Sequence, residues 1–153
     1  MIRVLVPIEA FGRLSLSATY FALEFAKRHP AKVFFLILAG AGRAAEEGGP
    51  TLPGQPQEAE IFQQLLARAR QQQVDVEVMH SGEEYLPAIR QAVAAQGIDD
   101  LVIAVPAAGD PLYPQLHRRL EQLRHQVQCH IITVKPKEVG PLGLVPRSCK
   151  PQN

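Results

Sequence analysis

Alternation constrains this chain most: five short apolar runs are separated by segments of helical periodicity. The runs are Ile2 to Ile8, Ala31 to Leu38, Val74 to Met79, Leu101 to Val105 and His130 to Val134. Most are near-continuous in apolar residues, as strands are when both faces of their sheet are covered. Between them, apolar residues recur at helical spacing. Ser15 to Arg28 carries Ala18, Phe21, Ala22 and Phe25, and Glu58 to Gln71 carries Ile61, Leu65, Leu66 and Ala69. Glu84 to Ala95 carries Leu86, Ile89, Val93 and Ala94, and Leu112 to His125 carries Leu116, Leu120 and Leu123. Ser81 followed by Glu84 fits a capping box for the third helix. Asp110 is the expected cap of the fourth, with Pro111 in its first position. Strands alternating with helices imply right-handed crossovers, a parallel sheet and helices on both faces.

Two segments break the rhythm. Gly40 to Pro56 is rich in Gly, Pro and Ala and reads as a mobile loop. Val139 to Asn153 has Pro and Gly without periodicity and reads as a tail. The expected organisation is therefore one domain over residues 1–137 and a flexible tail over 138–153. Within the tail, Leu144-Val145-Pro146-Arg147-Ser148 is similar to a thrombin site lacking its glycine. It fits either a processing scar or a native tail.

Composition excludes several function classes. A net charge of +1 gives no reason to expect nucleic acid or an anionic membrane as partner. Aromatic residues make up 6% of the chain and Trp is absent, which argues against a base-stacking platform. Cys129 and Cys149 have no metal-ligand spacing and read as reduced thiols in an intracellular compartment. The run from Met1 to Val6 is too short for a signal peptide and stops at Pro7. No stretch approaches the length needed to cross a bilayer. The expected location is the cytoplasm.

The turn after the fourth strand carries the functional argument. In an open parallel sheet this loop faces the ligand crevice. A phosphate-binding protein places glycines there, ahead of a helix N-terminus with free N–H groups. This chain reads Val105-Pro106-Ala107-Ala108-Gly109-Asp110-Pro111, with one glycine, two prolines and a carboxylate.

The order of these segments resembles the universal stress protein family over roughly the first 135 residues. Val4-Leu5-Val6-Pro7-Ile8-Glu9 is similar to the family's opening strand, which usually ends in Pro, an apolar residue and Asp. Ala22-Leu23-Glu24-Phe25-Ala26-Lys27, followed by Ala31-Lys32-Val33, is similar to its first helix and the entry to strand two. Asp99-Asp100-Leu101-Val102-Ile103 is similar to its entry into strand four. Gln128-Cys129-His130-Ile131-Ile132-Thr133-Val134 stands where the family often has Pro-Cys-Pro and a last strand.

The resemblance implies a five-stranded parallel sheet in order 3-2-1-4-5, with the switch point between strands one and four. It implies a homodimer, commonly formed through the last strand. It also implies that nucleotide-binding members lay ATP across the ends of strands one and four. Their signature is G-x2-G-x9-G-[S/T]. Here the first glycine falls at Val105 or Pro106, and Pro106 has no N–H to offer. The late pair falls around Leu116, His117 and Arg118, none a glycine or hydroxyl residue. Gly109 is flanked by the negative charge of Asp110. Glu9 replaces the usual Asp. Ala10-Phe11 replaces a small polar turn, and Phe11 is expected to fill space a sugar would need.

The candidate cleft residues are Pro7, Ile8, Glu9, Val105, Pro106 and Gly109. Glu9 is expected either to accept hydrogen bonds from a polar ligand or to be a solvated loop carboxylate. His117, Arg118 and Arg119 form a basic patch that reads as an exposed helix face, with phosphate pairing the alternative. His29, His80, His117, His125 and His130 show no metal-ligand spacing, so no metal is expected. There is no GxSxG elbow, P-loop or SxxK. Ser15 and Ser17 open a helix, where hydroxyls cap rather than attack. Glu83 and Glu84 are adjacent and point apart. A response-regulator reading lacks its Asp after strand three, which ends in Met79-His80-Ser81.

The expectation is a non-catalytic, universal-stress-like regulatory protein that acts by dimerisation and binding of an unidentified protein partner. No cofactor is expected, and ATP binding of the usual kind is not. The alternative is a nucleotide or nucleoside binder with a divergent cleft. A slow nucleotide hydrolase is a third reading, for which no general base or metal set is visible.

Overall fold

A computed structural model describes residues 1–38 and 55–136. Five strands and four helices alternate through it: β1 Ile2–Ile8, α1 Arg13–Arg28, β2 Ala31–Leu38, α2 Gln55–Gln71, β3 Asp75–Ser81, α3 Tyr85–Gln96, β4 Asp100–Ala104, α4 Tyr113–Gln126 and β5 His130–Val134. The strands form one parallel sheet in the order β3-β2-β1-β4-β5, as the resemblance implied. The expected tail, the Leu144 to Ser148 segment and Cys149 lie outside the described residues.

Strand alternation sorts the core into two layers. Val4, Val6 and Ile8 point to one face, where they pack with Phe35, Ala18 and Ala22 of α1, and Phe62 and Leu66 of α2. Leu5, Phe34 and Leu36 point to the other face, against Ala88 and Ile89 of α3 and Leu120 and Leu123 of α4. Helices thus cover both faces, which is why the strands read as continuous apolar runs.

The differences from expectation lie at element ends. The second helix starts at Gln55, so Gln55 and Pro56 belong to it rather than to the loop; the rest of that loop lies outside the described residues. Proline fits there because first-turn N–H groups have no intrahelical acceptor. β3 runs on to Ser81, so the expected capping box does not form. The Ser81 hydroxyl instead accepts the Glu83 N–H at 3.1 Å, and Glu84 is the N-cap of α3 without a side-chain bond. At α4 the N-cap is Leu112, with Pro114 rather than Pro111 in the first turn. Ser15 lies inside the first turn of α1, where its Oγ accepts the Gly12 N–H at 3.0 Å.

In this strand order, β1 lies between β2 and β4. The connection out of β1 leads to one side of the sheet and β4 lies on the other. A crevice must open beyond the C-terminal ends of these two strands.

Candidate functional site

The crevice holds two adjoining clefts. The larger, about 600 Å³, is lined by Pro7 and Glu9 after β1, by Ser15 at the start of α1, by Pro106 after β4, and by Leu116 and Arg119 of α4. The smaller, about 480 Å³, lies toward the β3–α3 connection and includes Leu38, Glu83 and Glu84 in its wall. Glu9, Tyr85 and Arg119 line both, so these three side chains form the partition.

The partition is a charged stack. Arg119 donates from one terminal nitrogen to Glu9 Oε2 at 2.9 Å and from the other to Glu9 Oε1. The guanidinium lies over the Tyr85 ring with 3.7 Å from its carbon to the ring centroid, a close cation–π contact. Burial works against the Arg119 charge. The hydrogen bonds and charge of Glu9 outweigh it and hold the guanidinium's pKa above its ordinary value. Burial likewise pushes the Tyr85 phenol up, with Arg119 opposing it. The Arg119 Nε is buried without a partner among the described residues. Both terminal nitrogens face the carboxylate, so the fork is fully engaged from one side.

The basic patch therefore does not act as one exposed face. Arg119 leaves it for the partition, while His117 and Arg118 stay exposed and His117 stacks against Tyr113 at 5.3 Å between ring centroids. A signal for this was present in α4. Leu116, Arg119, Leu120 and Leu123 follow the i, i+3, i+4, i+7 spacing of one helix face, so Arg119 stands in the apolar stripe. Tyr85 carried no comparable mark.

Pro7, Glu9 and Pro106 line the larger cleft, whereas Ile8 and Val105 are buried beneath it. Gly109 is exposed on the turn, and its neighbours Ala107 and Asp110 reach the cleft wall. Phe11 does not block the cleft. Its ring turns into the core and meets Phe62 at 5.2 Å, because α2 offers it an apolar contact. His80 is exposed at the end of β3. Among the described residues, no three His, Cys, Asp or Glu side chains gather as metal ligands, and no helix is long and apolar enough to cross a membrane.

Four amides at the turn after β4 have acceptors within the chain. The Val105 N–H donates to Val134 O at 2.8 Å, and the Asp110 N–H to Ala107 O at 2.9 Å. The Tyr113 N–H donates to Asp110 O at 3.0 Å, and the Leu112 N–H to the Asp110 carboxylate at 2.8 Å. Pro106 and Pro111 have no N–H. These four amides are engaged within the chain, whereas a phosphate cradle needs free ones.

No family model and no curated protein matches the chain. Solved structures do. A universal stress protein in complex with cAMP aligns at a TM-score of 0.62 and 15% identity, covering 89% of this chain and 98% of that one. A universal stress protein from Archaeoglobus fulgidus in complex with dAMP aligns at 0.57 and 15%, covering 88% and 98%. A universal stress protein family member from Arabidopsis thaliana with AMP bound aligns at 0.57 and 13%, covering 90% and 93%. At such identities the likeness is one of backbone architecture: this chain has the universal stress protein fold.

Proposed function

We propose that this protein is a non-catalytic regulatory domain that works by dimerising and binding a protein partner, without gripping ATP at the β4–α4 turn. One observation carries this reading: the amides of Val105, Asp110, Leu112 and Tyr113 already have acceptors within the chain. A triphosphate there would find those four donors engaged and would meet two prolines and the Asp110 carboxylate. Calorimetric titration with ATP and Mg²⁺ tests it. No saturable heat is expected, and a micromolar dissociation constant overturns it.

Dimerisation through β5 is the geometry this reading favours. Among the described residues β5 pairs with β4 alone, and its other edge carries backbone groups that a second copy can pair. Sedimentation equilibrium is expected to give twice the chain mass. Thr133→Pro is expected to reduce the dimer: His130 and Val134 bond toward β4, so by alternation the Thr133 N–H points to the free edge.

A second reading has its own support. The larger cleft lies at the switch point, and three proteins of the same fold were solved with cAMP, dAMP or AMP. On this reading the cleft takes a nucleoside-class ligand through contacts other than a phosphate loop. A thermal-shift screen of nucleosides and nucleotides tests it. A rise in melting temperature with ligand concentration supports it, and none across the panel removes it.

A further inference from the structure

Glu9 occupies what would otherwise be an anion receptor. The Arg119 guanidinium offers its two terminal nitrogens to the two Glu9 oxygens, the forked geometry by which arginine grips phosphate. Tyr85 beneath it holds the plane in place. Among the other charges in the walls, Asp110 and Arg13 stand on the larger cleft, and Glu83 and Glu84 on the smaller. Apolar contact comes from Pro7, Pro106 and Leu116.

We infer that the cleft selects uncharged nucleosides over their phosphorylated forms, and that Glu9 is the discriminating residue because it holds Arg119 in an internal pair. The inference rests on the second reading above. A phosphate monoester brings a charge of about −1.5 to −2 into the site. To reach Arg119 it must either lie beside Glu9 or displace Glu9, which leaves the freed carboxylate next to the phosphate. A nucleoside such as adenosine does neither, and its ribose hydroxyls and exocyclic amino group can donate to the exposed side of the Glu9 carboxylate.

Calorimetric titration of the full chain with adenosine, AMP and inorganic phosphate tests this. The wild type is expected to bind adenosine at least about ten-fold more tightly than AMP. In Glu9→Gln, AMP is expected to gain at least about ten-fold relative to adenosine. Adding Arg119→Gln to that variant is expected to abolish the gain. Glu9→Ala serves as a second variant, and thermal melting checks that each is folded. AMP binding the wild type as tightly as adenosine overturns the inference, as does an unchanged ratio in both Glu9 variants. If neither adenosine nor AMP binds the wild type, the nucleoside reading fails by itself. Inorganic phosphate binding that appears in Glu9→Gln and vanishes in the double variant then still supports the Glu9 block, and its absence overturns that as well.

Discussion

The Val105 N–H donates to the Val134 carbonyl at 2.8 Å, tying the first residue beyond β4 to the last residue of β5. This bond sets the character of the crevice. It extends the sheet ladder by one rung and turns the first amide past β4 sideways. The turn that follows closes on itself through Asp110, and the cleft's Arg119 is already paired with Glu9.

Asp110 holds that turn, so its loss is measurable. Asp110→Ala removes the acceptor for the Leu112 N–H and is expected to cost about 1 kcal/mol in urea unfolding. Asp110→Asn keeps an acceptor oxygen and is expected to cost less. Neither variant is expected to gain ATP binding, because Pro106 and Pro111 still offer no N–H.

Arg119→Lys is expected to behave as a loss rather than a conservative change. An ammonium cannot make the paired contacts to Glu9 or lie flat on Tyr85. The side chains are 22% and 45% exposed, so solvent screens the pair. A double-mutant cycle with Glu9→Gln is expected to give a coupling of about 0.5–1 kcal/mol that shrinks with added salt.

Tyr85 introduces a pH dependence at the alkaline end. Burial raises its pKa above the ordinary 10.0, with Arg119 acting in the opposite direction. The unfolded phenol therefore loses its proton first. The contribution of the neutral, half-buried phenol is complete below pH 10.0 and is lost as pH rises from there through the folded value. Tyr85→Phe is expected to flatten this part of the profile, measured as denaturation midpoints across that range.

Gly97 ends α3 with φ of 62°, and its N–H bonds back to Val93 O. A Cβ there would meet nothing within 4 Å, so the cost of Gly97→Ala is conformational. It is expected at about 1 kcal/mol, with Gly97→Asn milder because Asn tolerates the left-handed region. Thermal melting of the two variants checks the order.

Phe62 joins the β1–α1 connection to the core, with Phe11 and Phe35 rings both at 5.2 Å. Phe62→Ala is expected to destabilise by about 3–5 kcal/mol. It is also expected to loosen Phe11, read as faster hydrogen exchange across residues 10–14 than in the rest of α1.

The elements were legible in the sequence to within a few residues. β1, β2 and β5 end where their apolar runs end, because burial on both faces is a property of each run itself. Helix starts shifted more. Ser81 continues β3 through its register with Leu38, and a capping signal cannot compete with a sheet ladder. Phe11 looked like an obstruction because its partner, Phe62, is remote in sequence.

Periodicity was enough to settle the α/β class, and a single glycine between two prolines after β4 to mark the phosphate turn as altered, since both depend on neighbouring residues alone. The pairing of Glu9 with Arg119 spans 110 positions and arises only when β1 and α4 converge at the crevice. Tertiary packing decided that contact, because a charge on an apolar helix stripe must be neutralised by whatever the fold brings within reach.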